Sequence, residues 1–232
     1  SIPGGIGRAA CLILVLGGGF HSAGVSSMST LHPIGQVSTG HSAIIHFIAH
    51  DYYGKRLATC SSDKTIRVFD KDDEGQWKLV SQFGGSESGH KSAIWKVEWA
   101  HPEFGQVLAT CSDDRTVIVW REREVVSSGH ANPADLRLKF EPVATLTDFQ
   151  KGVTCIGFAP AHLGLQIASA CNDGKVRVHQ GNPTNLSHWD LASELEPDAG
   201  FGAYVTCLSW NRNRVDVPML AVGWWRQQGG GE

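Results

Sequence analysis

Repeated four-stranded β-units, and so an all-β fold, are what the sequence predicts, on three observations. First, three stretches are versions of one another: Leu57-Ala-Thr-Cys-Ser-Ser-Asp63-Lys-Thr-Ile-Arg-Val-Phe69, Leu108-Ala-Thr-Cys-Ser-Asp-Asp114-Arg-Thr-Val-Ile-Val-Trp120 and Ile167-Ala-Ser-Ala-Cys-Asn-Asp173-Gly-Lys-Val-Arg-Val-His179. In each, an apolar run leads into a turn with Asp at a fixed place, and a second alternating run returns to a large ring, which is a hairpin signature. Second, Asp63, Asp114 and Asp173 recur at intervals of roughly 50–60 residues, a period that marks stacked repeats. Third, another apolar strand precedes each hairpin. A unit of this size cannot bury its apolar face alone, so neighbouring units must cover one another.

Each element follows in order. Gly40-His41 and Gly89-His90 stand upstream of the first two hairpins, with Ile48 and Val97 at matched offsets in an innermost strand. The later copies keep that strand, as Val153-Thr-Cys-Ile156-Gly-Phe158 and Val205-Thr-Cys-Leu208-Ser-Trp210, but lack the Gly-His. Trp77 to Phe83 and Val143 to Leu146 supply outer strands, completing four per unit. Over about residues 40 to 222 this pattern resembles WD-repeat β-propellers, whose blades run to about 40–45 residues; the excess is assigned to loops. Leu220-Ala-Val-Gly223 opens a fourth hairpin, but Trp224-Trp-Arg-Gln-Gln-Gly-Gly-Gly-Glu232 carries no Ser-x-Asp turn and no returning strand. The expected fold is therefore an incomplete propeller of about three and a half blades at 28–223, with an atypical tail at 224–232. Residues 1–27, Gly-rich around an apolar run from Ala9 to Leu16, form an atypical extension expected to be disordered. That run is too short to span a membrane, which takes about 20 residues. It has the outline of a signal peptide, but the strand cysteines and Met28 favour an extension before a propeller start.

In WD-repeat blades a His, a strand Ser or Thr, the turn Asp and the ring of the third strand form a buried hydrogen-bonded chain. The resemblance assigns the full set to the second blade, as His90, Thr110, Asp114 and Trp120. The first blade has a shorter chain of His41, Thr59 and Asp63, since Phe69 replaces Trp. The third retains only Ser169 and Asp173, with His179 at the ring position. These residues also imitate a hydrolase triad. The set recurs in successive blades, however, and no separate oxyanion-hole motif accompanies it, so its reading is architectural and no catalytic residue is assigned.

Composition sets further bounds. A 41% hydrophobic chain of 232 residues with formal charge −3 is an ordinary globular one. Lysines and arginines are scattered and balanced, as in Arg121-Glu-Arg-Glu124, so no nucleic-acid surface is indicated. Cys60, Cys111, Cys155, Cys171 and Cys207 fall mostly in strands of separate repeats, where equivalent sites radiate apart in the wrong geometry for bridges, and read as small buried apolar residues. No zinc spacing occurs, and Asp70-Lys-Asp72-Asp-Glu74-Gly75 lacks the Glu that would end a calcium loop, so neither metal nor cofactor is expected. Asn185-Leu-Ser187 is a glycosylation sequon, relevant only to a secreted chain. Lys71, Asp72 and the segment from Val125 to Leu138 read as solvated loops.

One stretch is more specific than the generic repeat: Val97-Glu-Trp99-Ala-His-Pro-Glu-Phe-Gly105-Gln-Val-Leu-Ala-Thr-Cys-Ser-Asp-Asp-Arg115-Thr. With Phe158-Ala-Pro-Ala-His-Leu-Gly-Leu, Asn185-Leu-Ser-His-Trp189, Cys207-Leu-Ser-Trp-Asn211 and Pro218-Met-Leu-Ala-Val-Gly223, it resembles the nucleoporin Seh family, relatives of the Sec-thirteen coat subunit. The resemblance implies a non-enzymatic scaffold: an open propeller completed by a blade inserted from a helical-solenoid partner. It implies a place in the Y-shaped outer-ring complex of the nuclear pore, at the nuclear envelope, supporting mRNA export and protein transport. A second pool belongs to the amino-acid-sensing TOR-regulatory coat at the lysosomal or vacuolar membrane periphery. An open propeller exposes strand edges that invite strand addition. The expected partner-contacting edge is Ile34, Gly35, Gln36 and Val37, with Pro33 restricting which part can pair. The alternative within the same fold is a generic WD-repeat adaptor, either a vesicle-coat subunit or a ubiquitin-ligase substrate receptor.

Overall fold

A computed structural model describes residues 10–16, 31–85, 89–126, 136–196, 204–215 and 217–225. Strands β1 (Ala10–Leu16) and β2 (Leu31–Ser38) pair antiparallel as a two-stranded ribbon. The first blade follows as β3 (Ile45–His50), β4 (Arg56–Ser61), β5 (Thr65–Lys71) and β6 (Trp77–Gly84). The second is β7 (Ile94–Trp99), β8 (Val107–Ser112), β9 (Val117–Val126) and β10 (Leu136–Leu146). The third is β11 (Val153–Phe158), β12 (Gln166–Cys171), β13 (Val176–Asn182) and β14 (Asn185–Leu195). A two-stranded fourth unit consists of β15 (Tyr204–Trp210) and β16 (Leu220–Trp225). Each full blade is a meander in which sequence neighbours pair, and the arrangement is open, as expected from the repeats.

Three expectations change. Part of the N-terminal extension, Ala10–Leu16, is a strand: its unbroken apolar sequence suits β pairing and β2 offers it an edge. The two ends of the segment expected as a loop, 125–126 and 136–138, belong instead to β9 and β10, which pair from Leu136 with Val126 to Leu146 with Val117, while 127–135 lie outside the described residues. The last strand runs on to Trp225, into the span read as a tail.

The core lies between blades. Ala58, Cys60, Ile66 and Val68 of the first blade meet Ile94, Val97, Leu108 and Trp120 of the second. Ala109, Cys111, Val117 and Val119 then meet Val153, Ile156 and Ile167 of the third. Ala168, Ala170 and Val176 close on Val205 and Leu208 of the fourth unit. Alternation along each strand produces this: one face serves the preceding blade and the other the following one. Cys60, Cys111, Cys155 and Cys171 are free and buried, and burial pushes the Cys60 thiol up to about 12. Cys207, expected to be buried, is exposed.

All four inner strands share a one-residue register shift, at Ile45/Phe47, Ile94/Lys96, Val153/Cys155 and Val205/Cys207. Such a bulge re-aims the extra side chain. His46 stacks on Trp95 of the next blade at 4.4 Å, and the Thr154 hydroxyl donates to Val205 O at 2.7 Å. Indoles tie neighbouring inner strands further along: Trp99 Nε1 donates to Ala49 O and Trp210 Nε1 to Gly157 O. Gly157 is there because a Cβ would stand 2.7 Å from Leu208 Cδ1. Arg56 staples the first two blades, donating to Asp70 within its own blade and, through both terminal nitrogens, to Glu122 of the next. Such planar two-point recognition of a carboxylate is peculiar to guanidinium.

Candidate functional site

The turn between β4 and β5, and its counterpart between β8 and β9, place an Asp beside a residue in the left-handed region, Lys64 at φ 67° and Arg115 at φ 69°. The Asp side chain makes that turn tenable by accepting from the backbone two residues on, Thr65 N–H at 3.0 Å and Thr116 N–H at 3.1 Å. Its other oxygen points at the histidine in the segment before the inner strand.

In the second blade the structure brings all four residues together. His90 Nδ1 lies 3.0 Å from Asp114 Oδ2, Nε2 lies 2.7 Å from Thr110 Oγ1, and Trp120 Nε1 donates to the same hydroxyl at 2.8 Å. A carboxylate only accepts and an indole N–H only donates, so the chain runs one way: indole to threonine, threonine to Nε2, Nδ1–H to aspartate. His90, Thr110 and Trp120 are buried, so each group needs such a partner. Burial opposes ionisation of Asp114, but donation from His90 and Thr116 holds its carboxyl well below the usual carboxylate range.

The first blade holds the shorter chain. His41 Nδ1 meets Asp63 Oδ2 and Nε2 meets Thr59 Oγ1, both at 2.9 Å, with Phe69 in the indole's place. Burial pushes Asp63 up, yet donors from Thr65, His41 and the Ser42 N–H outweigh it and hold the carboxyl at about 2. Burial lowers His41 below its ordinary value, only partly offset by Asp63.

The third blade is wired differently. Ser169 and Asp173 do not share a chain: the Ser169 hydroxyl donates to Arg177 O, while Asp173 pairs with the Arg177 guanidinium at 2.8 Å. Arg177 Nε also donates to Glu194 at 2.8 Å, and its plane lies 5.4 Å from the Phe149 ring. The Gln150 N–H approaches Asp173 as the Lys91 N–H approaches Asp114, which puts Phe149 at the histidine's place. His179 turns away to Asp148, at 3.0 Å. Arg177, Glu194 and Asp148 escaped the sequence reading. The available signal was Arg177 itself, a charge at an alternating position where the second copy has Ile118.

Thr59, Thr110 and Ser169 are fully buried, so these hydroxyls sit in the core and not at a substrate-accessible surface. The apparent calcium-loop residue Asp72 uses its Oδ1 to accept the backbone N–H groups of Glu74 and Gln76, which shapes the β5–β6 turn.

The strand expected to receive a partner, β2, is paired with β1 along one of its two edges. Gln36 stands opposite Leu12, Gly35 opposite Ile13 and Val37 opposite Cys11, with the register shifting at Ile34, next to Pro33. The Val37 side chain is buried against Leu57, Phe69 and Trp77. Among the described strands, the open edges are those of β1, β2, β15 and β16 and of the first and last strand of each meander.

Four-stranded meanders that bury their faces on one another, with a His–Thr–Asp–Trp chain behind one turn and a shorter His–Thr–Asp chain behind another, define a WD-repeat protein. The family profile described as WD domain, G-beta repeat matches residues 31–70, 77–121 and 140–180, and the chain belongs to that family. Each matched unit joins one outer strand to the three inner strands of the next blade, so β2 stands as the outer strand of a preceding blade and β1 fills the place of its third strand. Among curated proteins the chain is similar to nucleoporin SEH1 of Osmerus mordax, Danio rerio and Homo sapiens. Identity is 38% over 190 residues in each case, covering 81% of this chain and 49%, 49% and 50% of the respective relatives. The resemblance to the Seh nucleoporins is thereby borne out, and the chain spans about half the length of the curated relatives it matches.

Proposed function

We propose that the protein is a non-enzymatic scaffold subunit of the nuclear pore, acting in the outer-ring Y complex and through it supporting mRNA export and protein transport. The observation that carries this reading is the similarity to nucleoporin SEH1 over 190 residues, in a chain whose described blades have free strand edges, those of β1 and β16 among them. Unpaired strands carry unsatisfied backbone donors and acceptors, and adding a strand satisfies them while excluding water. The partner in this reading is a helical-solenoid nucleoporin whose inserted blade completes the propeller at the seam. Since β2 pairs with β1 along one edge only, the added strand docks on the free edge of β2 or of β1, or displaces β1. The same surfaces would serve a TOR-regulatory coat at the lysosomal or vacuolar membrane periphery.

Affinity capture of the full chain from its own cells, read by mass spectrometry, tests this. Stoichiometric recovery of Y-complex or TOR-regulatory subunits supports the scaffold. Recovery of vesicle-coat or ubiquitin-ligase subunits in their place would overturn it in favour of an adaptor.

A further inference from the structure

The register shift shared by the four inner strands sets Phe47, Lys96, Cys155 and Cys207 at equivalent places on successive units. The first three touch in turn: the Lys96 ammonium lies 5.1 Å from the centre of the Phe47 ring and 3.6 Å from Cys155 Sγ. Lys96 belongs to the second blade and Cys155 to the third, so the second contact crosses between blades. Both of its members are fixed on one backbone oxygen, since Ile156 O accepts from Lys96 Nζ at 2.6 Å and from the Cys155 thiol at 3.8 Å. Among the described residues no other thiol is hydrogen-bonded to an amine; Cys171, for example, donates to the backbone oxygen of Lys151.

A separation of 3.6 Å is just outside the roughly 3–3.5 Å of poised reacting atoms, a gap that the unbranched lysine stem can close. Glu98 Oε2 lies 3.1 Å from the same ammonium, held by the ion pair without a hydrogen bond. Burial pushes the Glu98 carboxyl above its ordinary value, which makes it a better acceptor for a proton of that ammonium. Burial also opposes the charge on Lys96, but Glu98 and Cys155 outweigh it and hold the proton on; oxidation of Cys155 removes one of those two restraints. Lys96 and Glu98 line an open cleft of about 670 Å³, so a small oxidant has an approach to the pair from solvent.

We propose that Lys96 and Cys155 are a modification site, at which hydrogen peroxide drives a reversible covalent crosslink between the inner strands of the second and third blades. In the first step sulfur attacks peroxide and the O–O bond breaks. One oxygen stays on Cys155 as a sulfenic acid and the other leaves as water, so sulfur loses two electrons and peroxide gains them. In the second step Lys96 Nζ attacks that sulfur, an S–N bond forms as the S–O bond breaks, and the product is a sulfenamide. The ammonium gives up two protons: one leaves with the hydroxyl as water and the other stays on Glu98, so the buried ion pair becomes two neutral groups. A small thiol reverses the link by attacking sulfur, which returns the amine and leaves a mixed disulfide that a second thiol reduces. The link lies within one chain and does not depend on nuclear-pore assembly.

The test treats the full chain with hydrogen peroxide, alkylates the remaining free thiols and maps the peptides by mass spectrometry without reduction. The expected product joins the Lys96 peptide to the Cys155 peptide, is lighter than their sum by two hydrogens, escapes tryptic cleavage after Lys96 and is lost on dithiothreitol. Lys96→Arg keeps the cation but removes the nucleophile, and Cys155→Ser removes the sulfur, so neither should yield the link. Cys111 stands opposite Lys96 in the sheet register, and Cys111→Ala should yield the link as the parent does. The parent unfolded in urea should not form it, and this control with the parent's own map decides the matter even where a substitution unfolds the chain. Cys155 recovered unoxidised, as a sulfinic acid or in a disulfide, with Lys96 unmodified, would overturn the proposal. So would equal formation in urea, or a link that persists in Lys96→Arg.

Discussion

In the second blade an imidazole ties the turn aspartate to the strand behind it; in the third a buried guanidinium does so, with a phenylalanine where the histidine would be. Both blades nevertheless form the same four-stranded meander. The requirement is therefore an aspartate held by a side-chain N–H donor behind the hairpin turn, and more than one donor meets it. That interchangeability argues against catalysis, because a reacting group tolerates no change from imidazole to guanidinium.

The sharpest way to break the comparison is to remove the donor from each blade. Arg177 and Asp173 are 2% and 4% exposed in their side chains. Arg177→Ala leaves buried Asp173 with only the backbone N–H groups of Lys175 and Gln150 and no countercharge, and a loss of about 3–5 kcal/mol in urea unfolding is expected. His90→Ala should cost less, about 1–3 kcal/mol, because Asp114 keeps its bonds from Thr116 and the Lys91 N–H.

Next is the indole. Thr110→Val leaves both Trp120 Nε1 and His90 Nε2 without a partner, whereas Thr59→Val orphans only His41, since Phe69 has no N–H. The second-blade substitution should cost more by about one hydrogen bond, 0.5–1.5 kcal/mol, in the same measurement. Phe69→Trp followed by Thr59→Val would sharpen the point if the difference then disappears.

The acid response separates the first blade from the third. His41 has a folded-state value below its ordinary 6.5, so the unfolded chain takes up its proton first. The resulting contribution to stability is complete above pH 6.5 and is lost as pH falls below it. Asp63, held at about 2 against an ordinary 3.8, adds a second loss as pH falls below 3.8. Urea midpoints measured across this range should decline with falling pH, and His41→Gln should flatten the upper part of the decline.

The smallest effect concerns the turn. Gly174 takes the left-handed place in the third blade at φ 87°, where the first two strain Lys64 and Arg115. Lys64→Gly should raise stability by up to about 1 kcal/mol, and Gly174→Lys should lower it by a similar amount, both read as shifts in thermal midpoint.

These comparisons also show what a sequence makes legible. The hairpins and the two histidine chains could be read because periodicity fixes which strand faces which, and because Gly-His and Ser-x-Asp sit at matched offsets. β14 and the extended ends of β9 and β10 were hidden, since Asn185–Leu195 and Leu136–Leu146 lie outside the repeated motif and are half polar, as suits the outer edge of a blade. The rewired third blade was hidden for another reason: a buried arginine looks like a surface one until its partners, Asp173 and Glu194, are placed in space. Strand β1 could not be inferred because the repeat gives it no counterpart; pairing with β2 is a tertiary event.

The account turns on the claim that the two networks are alternative solutions to one architectural task. Double-mutant cycles for His90 with Asp114 and for Arg177 with Asp173, measured by urea unfolding, test it directly. The expected result is coupling of about 1 kcal/mol or more in both pairs, larger in the third blade. Additive losses in either pair, with no coupling, would contradict the account, because an aspartate that does not depend on its donor is not held by it.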